Sequence, residues 1–142
     1  MQQEWILFPL IALVIWTLSV GFRMLLLRVK AVRQDGLNPH YFLLNRGGKL
    51  PAYLTQIEQH YQNLFELPVL FYLLAITLFA SKQVDALQLY LAWIFVTSRI
   101  VHSFIHLGSN RLIWRRNTFL FGGAILLIAW LDFAWKLLTL FT

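Results

Sequence analysis

The side chains best suited to chemistry in this sequence lie where an apolar segment ends in a basic one. Arg99, His102 and His106 occupy positions i, i+3 and i+7 of that segment. On an α-helix these three positions project from one stripe. Ionisable side chains inside an apolar helix are costly, so the stripe indicates a functional site if partners for it can be found.

The partners predicted for this stripe lie one helix earlier, where Asn63 and Glu66 share a face with Gln59 and Gln62. The two helices are joined by a short turn at 81–84. Folding the chain back about residue 82 brings Glu66 opposite Arg99 and Asn63 opposite His102. The sequence therefore predicts a Glu66–Arg99 ion pair.

Two interpretations follow from residue type and spacing alone. The first is a structural polar network, because a buried pair of opposite charges often specifies packing rather than catalysis. The second is a metal site, since His102 and His106 are spaced i, i+4 and Glu66 could add a carboxylate. His60, about two turns before Glu66, is not convincingly placed as a third histidine, so we predict no metal.

A third interpretation uses the basic stretch that follows the stripe. Arg111, Arg115 and Arg116, with the basic end of the first helix, could form the mouth of a pocket for a small polyanion. An apolar groove below it would suit an apolar substrate. Arginine stays protonated and cannot act as a base, but it can stabilise a thiolate or an oxyanion.

Composition determines which elements carry these residues. The chain has 142 residues, of which 59% are hydrophobic and 13% charged, and its mean hydropathy is +0.65. A soluble domain of this size could not bury so much apolar side chain. We predict an all-α integral membrane protein, a single four-helix domain, because about 20 apolar residues span a bilayer. The predicted spans are 5–27, 64–80, 84–107 and 118–141.

The net charge of +6 is concentrated in two loops, 28–62 and 108–117. By the positive-inside rule both loops face the cytoplasm and both termini lie on the other side, in the inner membrane if the source is bacterial. The basic composition is thus a topology signal, and we expect no nucleic-acid partner. The first span lacks a basic n-region and a small-residue cleavage site, so we expect it to be retained. Without cysteine, any thiol must come from a second molecule.

Local patterns predict the course of the helices. The first helix continues to Arg33, and the second begins near Ala52 with a kink at Pro68. Small residues at Gly122 and Gly123 permit close contact of the last helix with a neighbour. Asp132 and Lys136 are spaced for an ion pair along that helix.

The combined motifs resemble those of a known family, the membrane-associated proteins in eicosanoid and glutathione metabolism (MAPEG), in a prokaryotic-type form. The residues that carry the resemblance are Asn63-x-x-Glu66, Pro68, Arg99-x-x-His102, Leu107-Gly108, Arg111 and Arg115.

This resemblance implies a homotrimer of four-helix subunits, with glutathione bound between subunits near the cytoplasmic face. The arginine that matches Arg115 stabilises the thiolate of glutathione, which attacks a lipophilic electrophile or a peroxide. Residues matching Asn63, Glu66, Arg99 and His102 form the polar core and glutathione pocket, with Arg111 just beyond. Arg28 matches a basic position near the carboxylates of glutathione.

The sequence also departs from the family pattern at two places. Members with well-defined glutathione chemistry carry arginines before the helix-2 asparagine, where this chain has residues 59–62 without any. His106 stands where a tyrosine is common, and it could either donate to the thiolate or pack against a neighbour. We expect a glutathione-dependent transferase or peroxidase acting on lipophilic compounds. The alternative is a non-catalytic protein of the same fold that binds a membrane lipid or another anionic ligand.

Overall fold

A computed structural model describes residues 2–44 and 49–140 of the chain. These residues form helices joined by short connections, and no β-strand occurs among them. Arg46, one of the predicted basic loop residues, lies outside the described part. The helices are α1 (Leu7–Arg33), α2 (Tyr41–Leu44), α3 (Ala52–Asn63), α4 (Leu67–Ser81), α5 (Ala86–Leu107) and α6 (Leu112–Leu140).

The second predicted helix is broken rather than kinked. α3 ends at Asn63 and α4 begins at Leu67, with Pro68 in the first turn of α4. Proline lacks a backbone N–H and suits the start of a helix, so the break falls just before it. α3 packs against α1 and α5, whereas α4 packs against α1 and α6.

The last helix begins earlier than the sequence predicts. Because α6 starts at Leu112, Arg115 and Arg116 lie in its first turns and not in a loop. α5 and α6 form an antiparallel pair with the most extensive helix contact in the chain. The α5–α6 turn at 108–111 and the α1–α3 connection define what we call the basic end of the bundle.

At the far end, where 82–85 joins α4 to α5, a polar cluster ties the helices together. Lys136 Nζ lies 2.5 Å from Asp132 Oδ2 and 2.6 Å from Asp85 Oδ2. The buried amide of Gln88 donates to Asp132 Oδ2 at 2.6 Å. The predicted Asp132–Lys136 pair is confirmed, and it also joins α6 to the start of α5.

The exterior of the bundle is apolar. Three described helical stretches are long and apolar enough to cross a membrane, Gln3–Arg33, Ala52–Ser81 and Leu112–Thr139. Large side chains on them, such as Phe8, Leu73 and Leu131, are more than half exposed. Such a surface suits lipid and not water, and the chain is an integral membrane protein. α5, which carries the ionisable stripe, is not among the three.

Candidate functional site

Arg99 is buried between α5 and α6, with 2% of its surface exposed. Its Nη2 donates to the carbonyl oxygens of Thr118 at 2.7 Å and Phe119 at 3.3 Å, both on α6. Gly122 makes room for the guanidinium, because a Cβ at that position would lie 2.1 Å from Nη2. The arginine therefore joins the two helices through backbone acceptors.

The predicted Glu66–Arg99 ion pair is wrong within the subunit. Glu66 is exposed at the break between α3 and α4, and no ion pair or hydrogen bond of its side chain forms with any described residue. The fold-back argument treated residues 52–80 as one straight helix, so the break changes which residues face α5. Asn63 is half-buried on the last turn of α3, and it makes no side-chain hydrogen bond to His102.

Three histidines meet in the interior at the basic end. His60 of α3 lies with His102 and His106 of α5, and the ring centroids are 5.0 to 5.9 Å apart. His60 and His106 are fully buried and His102 is 4% exposed. His106 thus packs against neighbouring rings, which is one of the two roles that the sequence left open for it.

Hydroxyl groups contact two of these histidines. Ser103 Oγ donates to the carbonyl of Arg99 at 2.9 Å and accepts from Trp16 Nε1 at 2.9 Å, and it lies 2.8 Å from His60 Nε2. Thr118 Oγ1 donates to a main-chain carbonyl and lies 2.9 Å from His102 Nδ1. One nitrogen of each of these two rings is thereby hydrogen-bonded to a hydroxyl group.

The other ring nitrogens of the cluster have no hydrogen-bond partner in the part of the chain that the structure describes. His60 Nδ1, His102 Nε2 and both ring nitrogens of His106 are buried and make no hydrogen bond to the described residues. Despite the closeness of the rings, no group of three His, Cys, Asp or Glu side chains in residues 2–44 and 49–140 is arranged to hold a metal ion. The cluster is a buried polar centre that joins α3 to α5.

Arg115 lies outside this cluster, on the first turn of α6. Its Nη1 donates to Asn110 Oδ1 at 2.8 Å. Asn110 belongs to the α5–α6 turn and has a left-handed backbone (φ 50°), which asparagine adopts more readily than most residues. The turn therefore fixes the guanidinium at the basic end, whereas the side chain of Arg111 is exposed there without a described contact.

Two cavities adjoin this turn. The apolar groove has a volume of about 320 Å³ between α1 and α5, and its walls include Trp16, Val20, Arg23, Phe104, Leu107 and Gly108. The polar cavity, of about 510 Å³, lies between α3, its preceding loop and the turn, and its walls include Tyr41, Lys49, Thr55, Gln56, Gln59 and Asn110. Gly108 lines the groove and Asn110 lines the polar cavity, so the turn borders both spaces.

Arg28 is positioned by α3 rather than by either cavity. Its Nη2 lies 2.8 Å from Glu58 Oε1, and its guanidinium stacks 5.1 Å from the centre of the Phe42 ring. It therefore pairs with a carboxylate of its own subunit. The structure brings Arg99, His102 and His106 together, but it leaves Arg28, Asn63, Glu66 and Arg111 separate from them.

Sequence reasoning named His60 and Gln59 without assigning them their observed contacts, and it assigned no role to Lys49 or Asn110. His60 faces α5 because α3 packs against α5. The spacing of residues within α3 does not predict that contact between helices. Lys49 and Gln59 meet Asn110 across the polar cavity only after folding. A signal for Asn110 was present, since Gly108 and Asn110 are typical turn residues.

Comparison with known proteins gives one match. The model of the MAPEG family matches residues 6–135, which is nearly the whole chain. Searches of curated proteins and of solved structures found no significant match. The match includes all the motifs on which the resemblance rests and all four long predicted spans except their outermost residues. The chain belongs to the MAPEG family.

Proposed function

We propose that this protein is a glutathione-dependent transferase or peroxidase that acts on hydrophobic electrophiles at the membrane. One observation carries the proposal. The α5–α6 turn borders both the apolar groove and the polar cavity, and Arg115 is hydrogen-bonded to that turn through Asn110. A polar thiol peptide in the polar cavity and an apolar substrate in the groove would both reach this guanidinium in the proposed complex.

Arg115 would supply the catalytic electrostatics. Its guanidinium remains protonated and can stabilise the thiolate form of a bound thiol. In the transferase reaction the thiolate sulfur forms a bond to an electrophilic carbon, and the leaving group departs with its electron pair. The hydrogen bond to Asn110 limits the motion of the guanidinium, so little reorganisation is needed when the thiolate forms.

Orientation and assembly complete the proposal. The basic end would face the cytoplasm, in agreement with the positive-inside rule and with the supply of glutathione there. Three subunits would form the active protein. Support comes from Glu66, a carboxylate exposed beside the apolar side chains of Phe65 and Val69. A charge at such a position is costly in lipid, and contact with another subunit would shield it.

Calorimetry with glutathione and the purified protein in detergent tests the proposal. Arg116→Ala provides a matched control, because Arg116 is the neighbouring exposed arginine and, among the described residues, its side chain donates to Asn117 alone. We expect saturable binding to the wild type and to Arg116→Ala. Arg115→Ala should lose the ultraviolet absorbance of the bound thiolate and the turnover of a chloronitrobenzene substrate.

A protein that does not bind glutathione would instead fit the alternative, a non-catalytic protein that binds a lipid or another anionic ligand. The burial of His106 and the absence of arginine from 59–62 favour this alternative. If the folded wild type does not bind glutathione at millimolar concentration, the transferase proposal fails. It also fails if Arg115→Ala and Arg116→Ala have equal turnover.

A further inference from the structure

A third cavity lies between α1 and α2 at the basic end, and we call it the α1 cavity. It has a volume of about 350 Å³ and is lined by Phe42 of α2 and by α1 side chains at 25, 28, 29, 32 and 33. These α1 positions are spaced i, i+3, i+4, i+7 and i+8, so they form one face of that helix.

The lining of the α1 cavity is apolar except for two arginines. Its other members are Leu25, Val29, Val32 and Phe42, so no carboxylate, amide or hydroxyl side chain is among the described residues that line it. A peptide would find few partners for its amide groups on such walls. A hydrocarbon chain needs none, and the cavity is thus suited to one.

The two arginines differ in how their charge is balanced. Arg28 Nη2 lies 2.8 Å from Glu58 Oε1, so a carboxylate of α3 neutralises it. The Arg28 guanidinium also stacks on the ring of Phe42 and holds α2 beside α1. Arg33 is exposed, and its side chain makes no ion pair or hydrogen bond with any residue that the structure describes. One full positive charge therefore remains at the α1 cavity.

The cavity lies at the depth where hydrocarbon gives way to lipid headgroups. The helical stretch Gln3–Arg33 has 31 residues, about 45 Å at 1.5 Å per residue, and is longer than the hydrocarbon core of about 30 Å. Its end at Arg33 therefore reaches the headgroup layer, with Leu25 about 12 Å deeper. Leu43, next to Phe42, is 73% exposed, as suits a side chain in contact with lipid.

An apolar wall that ends at a free guanidinium matches a lipid of net negative charge. A phosphodiester can accept two parallel hydrogen bonds from one arginine. We propose that the α1 cavity binds an anionic phospholipid, with its phosphate at Arg33 and one acyl chain along Leu25 and Val29. A zwitterionic phospholipid would bring a second positive charge close to Arg33. This inference does not depend on the function proposed above.

Native mass spectrometry of the protein in detergent tests the site. Phosphatidylglycerol and phosphatidylcholine with the same acyl chains are titrated separately, and the bound fractions give a dissociation constant for each. Arg33→Gln removes the charge and Arg33→Lys keeps it. Lys30→Gln is the matched control, because Lys30 is exposed on the same helix but lies over the Tyr53 ring and does not line the cavity.

We expect the wild type to bind phosphatidylglycerol about fivefold more tightly than phosphatidylcholine, the factor that one basic residue contributes near a membrane surface. Arg33→Gln should lose this preference, whereas Arg33→Lys and Lys30→Gln should keep it. Inorganic phosphate at millimolar concentration should not displace the lipid, because it has no acyl chain to bury. Unfolding temperatures verify that each variant is folded.

Three results would overturn the inference. Equal affinity of the wild type for the two lipids would show that the cavity does not select a net negative charge. Equal losses in Arg33→Gln and Lys30→Gln would indicate attraction by the basic end as a whole and not a site. Displacement by inorganic phosphate would indicate a site for free anions. None of these results depends on glutathione, so the proposed function is judged separately.

Discussion

The contact between Gly122 and Arg99 gives a sharp prediction about stability. In Gly122→Ala the new Cβ would lie 2.1 Å from Nη2, 2.7 Å from Cζ of Arg99 and 2.8 Å from Ser98 Oγ. The guanidinium must move away, and it then loses its donation to Thr118 O and Phe119 O. Because the site is buried, water does not replace those acceptors.

The magnitude follows from the bonds that are lost. A hydrogen bond from a charged group contributes about 1.5–3 kcal/mol, and the shorter of the two, to Thr118, is the main loss. Alanine regains about 1 kcal/mol because glycine is unfavourable inside a helix. We therefore expect a net destabilisation of about 0.5–2 kcal/mol, which lowers the unfolding temperature by about 2–6 °C.

Gly123 provides the matched control on the same helix. A Cβ at Gly123 would meet its nearest atom, Leu67 Cδ1, at 3.8 Å, an ordinary contact. Thermal unfolding in detergent, followed by tryptophan fluorescence, should show a lower midpoint for Gly122→Ala and an unchanged or higher midpoint for Gly123→Ala. In an Arg99→Ala background, Gly122→Ala should cost much less. Equal midpoints for the two glycine variants would refute the assigned position of Arg99.

Two further predictions concern the interior. Ser103→Ala removes the hydrogen-bond partner of both Trp16 Nε1 and His60 Nε2, leaving two buried polar groups unpaired at about 1–3 kcal/mol each. Its unfolding midpoint should fall and the emission of Trp16 should shift, and unchanged values of both would contradict the shared hydroxyl. Lys136→Met leaves Asp132 without its cation. We expect a lower midpoint at neutral pH that recovers partly in acid, where the carboxylate is protonated, and a midpoint equal to the wild type at every pH would contradict the cluster.

Residue spacing predicted correctly the contacts that form within a single helix. Asp132 and Lys136 are four residues apart on α6, so their contact does not depend on how the helices pack. The all-helical membrane fold likewise follows from composition and is confirmed. The contact proposed between Glu66 and Arg99 required the relative rotation of two helices. A break of three residues before α4 changed that rotation, and helical periodicity does not encode it.

The histidine cluster also shows that spacing within one helix can be predicted from the sequence, whereas packing between helices cannot. The spacing of His102 and His106 placed them on one stripe, and the structure confirms this. His60 joins them because α3 turns away from the axis of α4 and packs on α5. α3 contacts α5 through the amide of Gln56, which donates to the carbonyl of His106, and through His60 Nε2, which bonds to Ser103 Oγ. No pattern of residues within one helix predicts these contacts between helices.

The dependence of Arg99 on α6 bears on how the chain enters a bilayer during synthesis. α5 leaves the ribosome before α6 and is not among the helices apolar enough to cross a membrane by composition. Its guanidinium finds its carbonyl acceptors only on the helix that follows. We therefore expect α5 to stay at the membrane surface until α6 has been synthesised. The two helices would then insert together as a hairpin, and α6 would provide the hydrogen-bond acceptors that allow Arg99 to enter the membrane.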